Sequence, residues 1–122
     1  HFAYHTPEVG SIIHAADVMA SLDLAGAMDR APGRHGIGNA FFVYFRDPDG
    51  HRVELFSSHY NVIDIDHQPK RWDLSDTRRS QLWGFPAPAR WFYEATDFED
   101  VAVNKPLMEA TPVTLESFLE QW

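Results

Sequence analysis

Residues 41–56 read Phe41-Phe42-Val43-Tyr44-Phe45-Arg46-Asp47-Pro48-Asp49-Gly50-His51-Arg52-Val53-Glu54-Leu55-Phe56, two largely apolar runs around one turn. Pro48 presets φ for the second turn position, Asp47 can bond back to the backbone, and Gly50 accepts positive φ. A three-residue Pro-Asp-Gly loop closes a hairpin by a type I turn followed by a glycine bulge. Asp47 then faces His51, and counting outward puts Tyr44 opposite Glu54, with Cβ atoms about 4.5–5.5 Å apart on one face. A two-residue loop would pair Phe45 with Glu54 instead and turn Tyr44 to the other face. The turn chemistry favours the first register. Phe42 and Tyr44 then share a face with Arg52, Glu54 and Phe56, while Phe41, Val43, Val53 and Leu55 face the other way.

Upstream, His1-Phe2-Ala3-Tyr4-His5 alternates like a short strand. Thr6 and Pro7 supply an N-cap and a first-turn proline. Val9, Ile12, Ile13, Ala16, Met19 and Ala20 recur at helical spacing, which predicts a helix over 7–22. A strand is expected near 24–30, and Pro32, Gly33, Gly36 and Gly38 mark a loop before the hairpin. The order is strand, helix and three strands, an α+β module over residues 1–60. Residues 61–122 form a C-terminal extension, expected to pack on the module or on a neighbouring subunit. Thr111 and Pro112 open a last helix with Leu115, Phe118, Leu119 and Trp122 on one stripe.

The 122 residues, 44% hydrophobic and 23% charged, fit one soluble domain or a piece of one. A net charge of −8 argues against a nucleic-acid partner. No apolar run reaches the ~18 residues of a membrane span, and no signal peptide is visible. The absence of Cys removes disulfides, thiolate metal sites and thiol nucleophiles, and is compatible with the cytoplasm. Charge is uneven: residues 70–90 carry a local excess of three positive charges and residues 91–122 an excess of six negative ones. The acidic stretch reads as a solvated face. A first residue of His rather than Met reads as a fragment or processed product.

Glu54 is the odd residue of its strand, between Val53 and Leu55, where an unpaired carboxylate is costly if buried. It either faces solvent, pairs with Arg46 or Arg52, or holds a metal. The seven His form no tight ligand pair of the His-x-x-x-His kind, and His14, His51, His59 and His67 read as ordinary surface or structural residues. His35 differs because it sits in the Pro32–Gly36 loop, which can carry a reactive group to a site. Arg30, taken by itself, reads as a partner in a surface ion pair with Asp29 or another acid.

Taken together, Gly33-x-His35, Val43-Tyr44-x-x-Asp47-Pro48-x-Gly50 and Glu54 resemble the signature of type I extradiol catechol dioxygenases, in the vicinal oxygen chelate superfamily. The stretches His1–Glu8 and Arg34–Phe41 are closer still to that family's homoprotocatechuate (3,4-dihydroxyphenylacetate) 2,3-dioxygenase branch. The likeness runs through Arg71–Leu74 and Leu82–Gly84, so it covers roughly residues 1–92.

The resemblance implies a βαβββ module forming part of an open barrel, the last of four modules in a longer chain. It implies extradiol cleavage of a catechol, 3,4-dihydroxyphenylacetate by this likeness, inserting both atoms of O2 at a mononuclear non-haem metal. His1 and Glu54 would be metal ligands, and a further His ligand would lie outside these residues. His35 and Tyr44 would steer protons and hold oxygen and substrate, while Arg30, with Arg79 second, would clamp a substrate carboxylate. Two imidazoles and one carboxylate suit Fe(II), and the same donors tolerate Mn(II). Relatives of this kind are commonly homotetramers. These 122 residues alone are expected to be inactive. Two other readings stay open: a glyoxalase- or resistance-protein-like metal enzyme without O2 chemistry, and a non-catalytic binding module.

Overall fold

The computed structural model describes residues 1–92. Strand β1 (Phe2–His5) leads to helix α1 (Val9–Ser21), then β2 (Met28–Arg34), β3 (Phe41–Arg46) and β4 (Arg52–Ser57). This is the expected βαβββ order. A two-residue strand β5 (Trp83–Gly84) from the extension completes a sheet of order β1-β4-β3-β2-β5. Strand β1 runs parallel to β4; the other pairings are antiparallel. The helix expected from Thr111, and all but the start of the acidic stretch, lie outside the described residues. No helix among the described residues is long and apolar enough to cross a membrane.

The hairpin takes the register that its turn chemistry predicts. Tyr44 pairs with Glu54, Phe42 with Phe56 and Arg46 with Arg52. The Asp47 amide donates to the His51 carbonyl at 3.0 Å, and Gly50 has φ +83. The Asp47 carboxylate accepts from the Asp49 and His51 amides, so the turn is tied by the side chain assigned to it.

The two faces of this hairpin have different fates. Phe41, Val43 and Phe45 bury against Ile12 of α1, with Val9, Ala15, Met19, Met28 and Leu55 packed around them. Enclosing Ile12 alone removes enough apolar surface to contribute about 1.5–3 kcal/mol. Ile13 and Ala20, expected on the same stripe, are exposed, so the buried face of the helix is narrower than the sequence suggests. The opposite face carries Phe42, Tyr44, Arg46 and Glu54, all buried although α1 lies on the other side of the sheet.

Two boundaries are corrected. The helix begins at Val9 with Glu8 as an uncapped N-cap, because Thr6 stays with the sheet: its amide donates to the Phe56 carbonyl at 2.8 Å. Strand β2 starts later than 24–30 and absorbs Pro32 and Gly33, which the sequence assigns to a loop. Its pairing with β3 tolerates this because the register shifts twice, between Met28 and Arg30 and again between Arg30 and Gly33. At the first shift Met28 opposes Phe45 and Arg30 opposes Tyr44, so Asp29 is an extra residue, a β-bulge. Met28 packs in the core below, whereas Asp29 and Arg30 both make contacts on the face above. Regular alternation would have sent them to opposite faces.

The extension is stitched to the module. The Ile37 amide donates to the Arg79 carbonyl and the Leu82 amide to the Arg34 carbonyl, at 2.8 and 2.7 Å. A Cβ on Gly36 would lie 2.3 Å from the Arg78 carbonyl oxygen and 2.6 Å from the Trp72 ring. The carbonyl belongs to the backbone and cannot swing aside, so Gly36→Ala is expected to lose about 1–3 kcal/mol as the loop is forced off the extension. Denaturant unfolding of the purified protein measures this.

Candidate active site

On the face away from α1 a carboxylate, two imidazoles and a phenol converge. Glu54, 7% exposed, lies on β4 opposite Tyr44. His1, just before β1, reaches it across the parallel pair, with Nε2 3.1 Å from Oε2. His35, just past β2, brings Nε2 to 3.4 Å from the other carboxylate oxygen and 3.1 Å from the Tyr44 hydroxyl. Arg46 and Arg52 turn to Asp29, and Glu54 faces the imidazoles. The solvent-facing reading of Glu54 is therefore overturned by its burial.

His35 is oriented from behind. Its Nδ1 lies 2.6 Å from the Ser80 carbonyl oxygen, and its ring stacks on Phe42 at 4.0 Å. A carbonyl only accepts, so Nδ1 carries the hydrogen and the lone pair of the neutral ring sits on Nε2, toward Tyr44 and Glu54. The Tyr44 hydroxyl can then donate to His35, and a proton taken up at Nε2 can be passed on. Sequence reasoning had no signal for Ser80, because the group that matters is a backbone oxygen 45 residues away.

Burial, and after it the Glu54 charge, raises the Tyr44 pKa well above its ordinary value of 10.0. A phenol with a raised pKa keeps its proton when the unfolded chain has lost it, so its contribution works against folding only above about pH 10. Metal-free protein is expected to lose stability progressively as pH rises above about 10, and Tyr44→Phe to lessen that slope. Unfolding midpoints across that range check this.

Arg30 is buried, not paired at the surface with Asp29. It donates to the Ser80 carbonyl at 3.1 Å and to the Gln81 side chain. Its guanidinium lies 4.5 Å from the Phe42 ring centroid and 5.2 Å from that of Trp91. Desolvation lowers its pKa, while Tyr44, Glu54 and Asp29 pull the other way. Arg79 is placed differently: its Nε donates to the Leu74 carbonyl at 3.0 Å. Among the described residues no hydrogen bond or ion pair brings Arg79 to Arg30, His35 or Glu54.

Trp91 is a contributor that the sequence reading missed. It lies edge-on to Tyr44 at 4.7 Å, and the Arg52 guanidinium stacks 4.1 Å from its ring. Its one sequence signal is membership of an aromatic-rich, proline-rich extension.

A buried carboxylate met by two imidazole nitrogens is a donor set that fits a divalent metal of the Fe(II), Mn(II) or Zn(II) kind. His1 and Glu54 would hold such an ion, with His35 close beside it.

Known proteins resemble this chain in sequence and in fold. Residues 1–55 match the Glyoxalase/Bleomycin resistance protein/Dioxygenase superfamily. A manganese-dependent 2,3-dihydroxybiphenyl 1,2-dioxygenase of Geobacillus genomosp. 3 is 42% identical over 87 residues, 70% of this chain and 27% of that protein. The crystal structure of homoprotocatechuate 2,3-dioxygenase from Arthrobacter globiformis superposes with a TM-score of 0.70 at 41% identity, covering 76% of this chain and 29% of that one. The Brevibacterium fuscum homoprotocatechuate 2,3-dioxygenase complexed with 3,4-dihydroxyphenylacetate gives 0.67 at 38%, covering 74% and 28%. The chain thus spans less than a third of each of these relatives.

Proposed function

We infer, for a chain whose residues 1–55 belong to the glyoxalase, bleomycin resistance protein and dioxygenase superfamily, that it is the metal-binding module of an extradiol ring-cleaving dioxygenase. The substrate is a catechol bearing a carboxylate, of the 3,4-dihydroxyphenylacetate class. The observation that carries this reading is the joining of His35, Tyr44 and Glu54 in one buried cluster beside His1. A glyoxalase-like metal site explains His1 and Glu54, but leaves a phenol and a tautomer-fixed imidazole beside the metal position with no task.

His1 and Glu54 hold Fe(II) or Mn(II), with the remaining His supplied from outside these residues. An ion held there would supply a Lewis-acidic centre for a catecholate and O2, the chemistry by which the ring bond beside the diol could be cleaved with both oxygen atoms entering the product. His35, with its Nε2 lone pair directed at the site, takes and returns a proton. Tyr44 orients the group it donates to, and stays a phenol because burial and Glu54 oppose its ionisation. Arg30 supplies the cation for the substrate carboxylate, its charge held against the Phe42 and Trp91 rings. Arg79, on the extension, is a second cation for the same carboxylate. Residues 1–60 form the catalytic module, residues 61–122 an extension over it, and the assembled protein is a cytoplasmic homotetramer.

The test uses the complete protein, purified without oxygen and analysed for metal. About one Fe or Mn per subunit, with O2-dependent ring opening of 3,4-dihydroxyphenylacetate, is the expected result. Metal binding without O2 uptake on any catechol would favour the glyoxalase-like reading.

A further inference from the structure

The Asp29 side chain is completely enclosed and is met by three guanidinium groups from three places in the chain. Arg46 of β3 lies at 3.2 Å, Arg52 of β4 at 2.7 Å, and Arg90 of the extension at 3.3 Å. A buried carboxylate requires a cation, and Arg46 and Arg52 already meet that need within the sheet. Arg90 comes from 61 residues away, on the turn Ala89–Phe92 that carries Trp91. Arg52 adds a second hold on the same turn, with Nη1 3.5 Å from the Trp91 carbonyl and its plane against the Trp91 ring. Trp91 in turn lies against Tyr44 and beneath Arg30. The β-bulge is what brings Asp29 to this face next to Arg30.

We propose that Asp29 is a positioning residue: through Arg90 and Arg52 it clasps the Ala89–Phe92 turn to the sheet, and so sets Trp91 as the wall against which Arg30 receives the substrate carboxylate. This rests on the dioxygenase reading for its substrate but not for the clasp itself. Asp29 touches neither the metal ligands nor the reacting atoms. Its effect reaches the substrate through the wall, and binding of the carboxylate is what it governs.

The experiment is Arg90→Gln in the complete enzyme, which removes the outer arm and leaves Asp29 paired with Arg46 and Arg52. With 3,4-dihydroxyphenylacetate, KM is expected to rise about tenfold with kcat within about twofold, a binding loss and not a chemical one. KM for unsubstituted catechol and metal content should hold. Arg90→Lys, which keeps the charge, should recover most of the loss. Independently of turnover, chymotryptic cleavage after Trp91 should become faster in Arg90→Gln and return toward normal in Arg90→Lys. Equal losses on both catechols, or loss of metal, would overturn the proposal in favour of general destabilisation. Kinetics and cleavage identical to the unmodified enzyme would overturn it outright. If the unmodified enzyme opens no catechol, the dioxygenase reading fails, and the cleavage rates alone decide whether the clasp exists.

Discussion

Glu54→Ala in the complete protein is expected to lower metal affinity by at least about 100-fold, since even an outer partner of a metal ligand costs ten- to a hundredfold. Ring cleavage should fall with it. The carboxylate is the only anionic donor in the cluster of His1, His35, Tyr44 and Glu54, and imidazoles alone would leave a divalent ion with its full charge. Stability provides a second, independent reading. In the metal-free protein Glu54 is a buried carboxylate with no ion to hold, so its removal takes away a buried charge and should leave the unfolding midpoint unchanged or slightly higher. Added metal should stabilise the unmodified protein against unfolding by about 2.7 kcal/mol at a hundredfold excess over Kd, and leave Glu54→Ala unchanged. Equal metal content in the two proteins would remove Glu54 from the site.

His35→Gln should separate chemistry from metal binding. Glutamine can still donate to the Ser80 carbonyl, so the loop has a means of staying in place, but it cannot take up a proton at the position of Nε2. A loss of about 100-fold or more in kcat is expected, within the range of general acid–base catalysis, with metal content intact and KM little changed. Rapid-mixing kinetics on the metal-loaded enzyme, with metal analysis of the same sample, decide the point. A variant that turns over normally would leave His35 a structural residue stacked on Phe42.

Much of this site is legible in residues 41–56 because turn chemistry is local. Asp47, Pro48 and Gly50 fix the loop length, the loop length fixes the register, and the register alone puts Tyr44 across from Glu54. The helix start was misplaced by a non-local effect: Thr6 has the chemistry of a cap, but its amide is taken by Phe56, 50 residues on. Strand β2 was misread because Pro32 and Gly33 signal a loop wherever the ladder is regular, and here it is not. Ser80, Asp29 and Trp91 had no pattern to reveal them. Ser80 acts through its backbone, Asp29 through partners on three separate segments, and Trp91 through a contact that forms only when the extension folds back. Resemblance to a family added His1, Arg30 and Arg79, of which Arg30 is the one drawn against Phe42 and Trp91.

The extra residue at Asp29 also limits how this strand can be changed. Deleting the one residue between Met28 and Arg30 would restore regular alternation at that point of the ladder, and in most strands that would count as a repair. Here the residue removed would be Asp29 itself, and Arg46, Arg52 and Arg90 would lose the buried carboxylate they share. The length of β2 is thus as constrained as its composition, and shuffling or trimming of this module should keep seven residues from Met28 to Arg34.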